Sequence, residues 1–100
     1  MDVIITKEGS KTHVQLIGRI DTTNASKFLE DIQPLMDDKT PDIELDCSQM
    51  DYTSSQGLRI FLMLQKSVNA HQGKLVMKNM NLKVKEVFDI TGFSSIITII

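Results

Sequence analysis

The sequence predicts a single α/β domain: a mixed β-sheet that opens with an antiparallel hairpin, continues with largely parallel strands and packs with about three α-helices. Two observations support this prediction. After two strand-like segments at the N-terminus, segments with period-two and with 3.6-residue hydrophobic patterns alternate along the chain. The 100 residues are also 41% hydrophobic, with five Gly and two Pro, which suits one apolar core. We therefore expect residues 1–100 to form one domain.

The N-terminal segments are predicted to pair as a β-hairpin. Residues 2–7 hold three consecutive β-branched apolar residues, and residues 8–10 (EGS) supply turn chemistry. In the second segment polar and apolar residues alternate over residues 13–17, and this strand is expected to run on towards Asp21.

The first helix is predicted over residues 22–36, with Thr22 or Thr23 as its cap. Its apolar residues recur with the helical period. Pro34 lacks an amide proton and crowds the carbonyl four residues earlier, so we expect a kink or a distorted last turn there.

The middle of the chain is predicted as a strand, a loop and a second helix. Residues 42–47 alternate with period two, and residues 48–54 are polar. A helical stripe over residues 57–68 follows, and its wide apolar face predicts a mostly buried helix. Gly73 is expected to end this helix as a left-handed cap.

The last third is predicted to add a strand, a helix and a final strand. Residues 74–78 carry a short apolar run, and residues 81–90 have helical periodicity with Gly92 just beyond them. The β-branched residues 96–100 read as the last strand.

Composition argues against several classes of protein. The 11 basic and 13 acidic residues give a net charge of -2 without a basic cluster, so nucleic acid is not an expected partner. Cys47 is the lone cysteine and has no companion at a metal-ligand spacing, so we expect no metal. The N-terminus lacks the features of a signal peptide and the longest apolar run is five residues, so a cytoplasmic protein without membrane insertion is expected.

The loop before the second helix is the place where chemistry is expected. It presents Ser54 and Ser55 as candidate N-caps. Hydrolysis by either serine would require a histidine within reach, but His13 lies in a predicted strand and His71 at a helix end. Glycine loops that bind nucleotide phosphates are absent, and we therefore expect neither an enzyme nor a cofactor.

Acidic residues near the strand ends leave one further alternative. Asp46 together with Asp21 and Asp51 superficially offers the site of a phosphoaspartyl receiver. No acidic pair follows the first strand, however, and Asp46 is expected to accept backbone hydrogen bonds in its own loop.

Four segments, in order over nearly the whole chain, closely resemble the anti-sigma factor antagonists, the bacterial members of the STAS domain superfamily. They are residues 14–21 (VQLIGRID), 43–48 (IELDCS), 51–59 (DYTSSQGLR) and 87–93 (VFDITGF). The serine loop followed by Gly-Leu is the most specific of them. The resemblance implies a STAS-like mixed sheet and a regulatory protein without enzymatic activity.

The resemblance also implies a partner switch. Such a domain binds an anti-sigma factor that is a serine kinase, displaces the sigma factor, and is inactivated when the kinase phosphorylates it; a serine phosphatase resets it. Alignment of the loop places the phosphoacceptor on Ser55, with Ser54 as runner-up. The expected partner surface comprises Asp21, Thr22, Thr53, Ser54, Ser55, Gln56, Gly57 and Arg59.

Two alternatives stay open at this point. Asp21 could cap the first helix instead of contacting a partner. STAS domains also occur as accessory subunits of membrane transporters, regulated by protein binding without phosphorylation.

Overall fold

The computed structural model describes residues 1–39 and 41–100 as five strands, three α-helices and a short 3₁₀ helix. In chain order the elements are β1 (Asp2–Glu8), β2 (Lys11–Ile20), α1 (Ala25–Met36), β3 (Asp42–Thr53), α2 (Ser55–Ala70), β4 (Lys74–Lys78), α3 (Leu82–Ile90), the 3₁₀ helix (Phe93–Ser95) and β5 (Thr98–Ile99).

The five strands form one mixed sheet in the order β1-β2-β3-β4-β5. β1 and β2 pair antiparallel, and each later neighbour pairs in parallel after a crossover through one helix. This arrangement confirms the predicted fold class, including the antiparallel start and the three helices.

One face of the sheet is buried beneath the helices. Val14, Leu45 and Met77 lie side by side across β2, β3 and β4, and each is at most 1% exposed. The Phe61 ring of α2 packs against Phe28 of α1 and Phe88 of α3, with centroid distances of 5.4 and 5.9 Å. The aromatic contacts of α2 therefore hold the other two helices against it.

β3 is twice as long as predicted. The expectation of a strand over residues 42–47 and a loop over residues 48–54 is wrong, because pairing with β2 continues to Thr53. Two register shifts interrupt this pairing, and the buried residues of the second half, Cys47, Met50 and Thr53, recur every third residue. A strand with bulges loses its period-two pattern, so hydrophobic periodicity did not indicate the second half of β3.

α1 begins later than predicted. Neither Thr22 nor Thr23 is the cap, since Asn24 precedes the first helical residue, Ala25. Pro34 lies inside the helix, which ends two residues later, and the Asp37 amide donates to the Pro34 carbonyl at 3.3 Å. A bond across three residues is the tighter 3₁₀ type that often ends an α-helix, and the kink or distorted last turn expected at Pro34 stays a prediction.

The end of α2 differs from the prediction in one residue. Gln72, with φ 55°, takes the left-handed position that was assigned to Gly73. The amide of Gly73 bonds to the Val68 carbonyl at 2.9 Å, which is the Schellman arrangement with Gln72 in the left-handed place. Gly73 is needed for another reason, because a Cβ there would lie 2.2 Å from the Pro41 carbonyl oxygen.

The C-terminal segment contains less strand than predicted. Of residues 96–100 only Thr98–Ile99 pair with β4, and the 3₁₀ helix Phe93–Ser95, which was not predicted, precedes them. The predicted α3 is present as Leu82–Ile90 with Asn81 as its N-cap. Among the described residues, no helix combines the length and apolar character required to cross a membrane.

Candidate functional site

The candidate site lies where β2 and β3 end beside each other. Both strands run in the same direction, and Ile20, the last residue of β2, is opposite Thr53, the last of β3. The Ser54 amide then donates to the Ile20 carbonyl at 2.8 Å. Consequently the loop after β2 and the start of α2 form one continuous surface, which is the usual ligand position of parallel sheets.

The two adjacent serines have different environments. The Ser54 side chain accepts a hydrogen bond from the Gly57 amide at 3.3 Å and is the N-cap of α2. Ser55 is the first helical residue, is exposed, and its hydroxyl has no hydrogen-bond partner within the described part of the chain. Only Ser54 therefore serves the helix as a cap.

Two residues expected on the partner surface are buried. Thr53 was expected on a loop, but it ends β3 and is 4% exposed. Gly57 is buried behind it, and a Cβ at this position would lie 2.2 Å from Thr53 Oγ1 and 3.0 Å from Ile20 Cγ2. These residues let α2 start close to the strand ends, while their side-chain positions face inward.

Asp21 is held in a turn at the start of the β2–α1 connection. Its carboxylate accepts hydrogen bonds from the Thr23 hydroxyl at 2.5 Å and the Thr23 amide at 2.9 Å. These two bonds are the main reason that the pKa of Asp21 is lowered, and the charge of Arg19 lowers it further. The alternative role of Asp21 as the cap of α1 is wrong, because Asn24 occupies that position.

The Asn24 side chain fixes the same connection from the other side. Its carbonyl oxygen accepts from the Asp21 amide at 2.9 Å, and its amide group donates to the Arg19 carbonyl at 2.8 Å. Asn24 thus occupies the N-cap position of α1 without a capping hydrogen bond from its side chain, which bonds to the preceding connection instead.

Arg19 and Tyr52 lie beside the candidate site and were not among the site residues predicted from the sequence. They are opposite each other in the β2–β3 pairing, and the Arg19 guanidinium lies 5.0 Å from the centre of the Tyr52 ring. Arg19 Nε is also 3.4 Å from Asp21 Oδ2. Their proximity depends on the bulged half of β3, which periodicity could not predict.

The remaining predicted residues are exposed. Thr22 lies in the turn before α1, and Gln56 and Arg59 lie in the first turns of α2. Gln56 and Arg59 also border a shallow apolar cleft between α1 and α2 whose other lining includes Leu29 and Met63. The structure thus brings Asp21, Thr22, Ser55, Gln56 and Arg59 to one end of the domain.

The histidines lie away from the serines. His13 faces the open side of the sheet, where its ring nitrogens are 2.9 Å from Glu44 Oε2 and 3.2 Å from Glu8 Oε2. The Nδ1 atom of His71 lies 2.8 Å from the Ser67 carbonyl oxygen within α2. Neither histidine is engaged with Ser54 or Ser55.

Asp46 and Cys47 are both explained by roles in the fold. Asp46 accepts from the Ser48 amide at 3.0 Å, as expected, and this bond is the main reason that its pKa is lowered. Burial raises the pKa of the Cys47 thiol to about 12, so the thiolate is strongly disfavoured. Within residues 1–39 and 41–100, no group of three or more His, Cys, Asp or Glu side chains could hold a metal ion.

Comparison with known proteins supports a family assignment. Residues 3–100 match the model of the STAS domain. The chain is 36% identical over 81 residues to BtrV of Bordetella bronchiseptica, named as an anti-sigma factor antagonist, covering 81% of this chain and 70% of BtrV. It is 28% identical over 99 residues to the anti-sigma-B factor antagonist of Bacillus subtilis, covering 99% of this chain and 90% of that protein.

A solved structure shows the same fold. The Bacillus cell fate determinant SpoIIAA, in its phosphorylated form, superposes with a TM-score of 0.74 at 14% identity, covering 99% of this chain and 91% of SpoIIAA. Together with the sequence matches, this similarity shows that the chain belongs to the STAS domain family, among the anti-sigma factor antagonists.

Proposed function

We propose that the chain binds an anti-sigma factor that is also a serine kinase, so that the sigma factor is released, and that phosphorylation of Ser55 ends this binding. The names of the relatives support antagonism of an anti-sigma factor, and they do not support the alternative of a transporter subunit. The role is regulatory binding, without an enzymatic step by this chain.

The choice of Ser55 as phosphoacceptor rests on one observation: only Ser54 of the two serines caps the helix. The Ser54 hydroxyl is engaged as the N-cap, whereas the Ser55 hydroxyl is exposed and unbonded within the described residues. A kinase can reach Ser55 without disturbing the helix. Phosphorylation of Ser54 would displace the cap of a helix whose middle is buried.

The neighbouring charges support a switch based on repulsion. Phosphate adds a charge of about -1.5 to -2 at pH 7. Asp21 already places a negative charge on the adjacent loop in the unphosphorylated protein, and hydrogen bonds from Thr23 lower its pKa further. Phosphate would add to this charge on a surface to which the partner is fitted without it, and a penalty of about 3 kcal/mol would weaken binding about 100-fold.

The test uses three proteins: wild type, Ser55→Ala and Ser54→Ala. The kinase is first isolated from the native host by its binding to tagged Ser55→Ala, and each protein is then incubated with this kinase and ATP. We expect phosphate on wild type and Ser54→Ala, located on Ser55 by peptide mass spectrometry, and none on Ser55→Ala. An unchanged level of phosphate on Ser55→Ala would refute the assignment.

The second measurement is the affinity of the isolated kinase for unphosphorylated and phosphorylated wild type, by titration calorimetry. We expect the phosphorylated protein to bind about 100-fold more weakly. Equal affinities would show that phosphorylation does not operate the switch. A phosphatase from the same host would be expected to restore the higher affinity.

A further inference from the structure

Arg59 is an uncommitted cation beside the proposed phosphoacceptor. It is exposed on α2 and forms neither an ion pair nor a side-chain hydrogen bond within residues 1–39 and 41–100. Other cations at this end of the domain are engaged. Arg19 lies 3.4 Å from Asp21, and Lys27 contacts Asp31 one turn along α1.

The spacing places Arg59 on the same face of α2 as Ser55. Both residues belong to the helix, and they are four positions apart. Side chains with this spacing are neighbours, with about 5–6 Å between their Cβ atoms. Helical side chains in general lean towards the N-terminus, so an arginine at position 59 can extend back over the first turn, where Ser55 lies.

The chemistry of the two groups is complementary. A phosphate monoester presents several anionic oxygens, and guanidinium binds such a group through two parallel N–H donors. The first turn of a helix also offers backbone amides without intrahelical partners, which favour the same anion. Only the Gly57 amide is taken up by the Ser54 cap.

We propose that Arg59 is the intramolecular partner of the phosphate on Ser55. This inference rests on the proposed phosphorylation of Ser55. The modification would then change the surface twice, because it adds negative charge and also withdraws the Arg59 cation from the face that is offered to the anti-sigma factor.

The experiment does not depend on a kinase, because phosphoserine is installed at position 55 during translation. The second ionisation of the phosphate is followed by ³¹P NMR titration in wild type, Arg59→Gln and Lys66→Gln. Lys66 is the matched control, being exposed on the same helix but about 16 Å along its axis from Ser55. Both variants lose one positive charge.

We expect the acid dissociation constant of this phosphate to be about twofold larger in wild type than in Arg59→Gln, because a nearby cation favours the dianion. Lys66→Gln should match wild type. Arg59→Lys, which keeps the charge without the planar fork, should give an intermediate value. In about 1 M salt the Debye length is about 3 Å, so the difference in dissociation constant between wild type and Arg59→Gln should shrink.

Equal constants in wild type and Arg59→Gln, or an equal effect of Lys66→Gln, would overturn the proposal. Circular dichroism of each variant verifies that the fold is retained, and Arg59→Lys keeps the test decisive if the glutamine variant is unstable. Failure of the native kinase to modify Ser55 would refute the proposed function alone, since the ion pair is measured on installed phosphoserine.

Discussion

At the scale of single residues, the adjacent Ser54 and Ser55 differ in what they contribute to the fold. The Ser54 hydroxyl accepts a hydrogen bond from the Gly57 amide, which would otherwise lack a partner. The Ser55 side chain is exposed, and its hydroxyl is unbonded within the described residues. We expect Ser54→Ala to lower the free energy of unfolding by about 1 kcal/mol, the usual value of an N-cap. Ser55→Ala should change it by less than about 0.5 kcal/mol.

Urea denaturation of the three proteins, followed by circular dichroism, measures this difference. Because the two substitutions remove the same hydroxyl from adjacent residues, each is the control for the other. A loss of stability in Ser55→Ala as large as that in Ser54→Ala would contradict the assignment of the cap.

Position 57 requires glycine because the backbone there lies close to the Thr53 side chain. Alanine is favoured over glycine by about 1 kcal/mol in a helix, yet a Cβ on residue 57 would lie 2.2 Å from Thr53 Oγ1. Overpacking of a buried site costs about 1–3 kcal/mol, and Thr53 is β-branched with little freedom to rotate. We therefore expect Gly57→Ala to lower the free energy of unfolding by about 1–2 kcal/mol.

A double-mutant cycle tests the cause of that loss. Thr53→Ala removes the oxygen that the new Cβ would meet, so the loss caused by Gly57→Ala should be smaller in the Thr53→Ala background. Chemical denaturation of the four proteins gives the coupling energy. Strict additivity would show that the contact with Thr53 is not responsible.

At the scale of elements, the Glu44 side chain connects three strands on the open face of the sheet, the face without helices. Its carboxylate lies 2.8 Å from Lys78 Nζ, 2.9 Å from His13 Nδ1 and 3.9 Å from Lys11 Nζ, on the two strands that flank β3. The hydrogen bond from Lys78 is the main cause of the lowered pKa of Glu44, followed by the charges of Lys78, Lys11 and His13.

This lowered pKa predicts a pH dependence. The folded protein binds the Glu44 proton less tightly than the unfolded chain, so Glu44 stabilises the fold above the ordinary glutamate pKa of 4.5. That contribution is lost as the pH falls through the lowered folded pKa. Glu44→Gln should therefore destabilise the protein at neutral pH and have a smaller effect near about pH 3.

Urea denaturation at both pH values tests the expectation. Glu86→Gln is the control, because Glu86 is exposed on α3 and forms no ion pair in the part of the chain that the structure describes. The two variants should differ at neutral pH. If Glu44→Gln shows no greater loss there than near pH 3, the ion pairs on the open face do not stabilise the sheet.

Local sequence signals are sufficient to predict the order and type of most helices and strands. Order and type follow from hydrophobic periodicity and turn residues, as the strands β1, β2 and β4 and the three helices show. The second half of β3 could not be predicted in this way, because its bulges depend on pairing with β2, which is distant in sequence. The same reason hides the contact of Arg19 with Tyr52, whereas Ser54 could be predicted as a candidate cap from its residue type.

At the scale of the whole molecule, the proposed switch rests on a scaffold that does not need to move. Phe61 and the buried face of the sheet hold α2 in place, and Ser55 lies at the exposed end of that helix. The proposed phosphate on Ser55 would lie on an exposed residue, where the helix terminus favours negative charge. The modification should therefore alter the surface while the packing persists.

Hydrogen exchange of unmodified protein and of protein with phosphoserine at position 55 tests this view across all elements. In both, amides of the central β3 should exchange slowest and those of β5, which has two residues at the sheet edge, faster. Phosphate should slow exchange only at the first turn of α2, where amides of Ser55 and Gln56 can donate to it. Faster exchange along α2 or in β3 would show that the switch acts by loosening the fold, because a purely electrostatic switch leaves these amides unchanged.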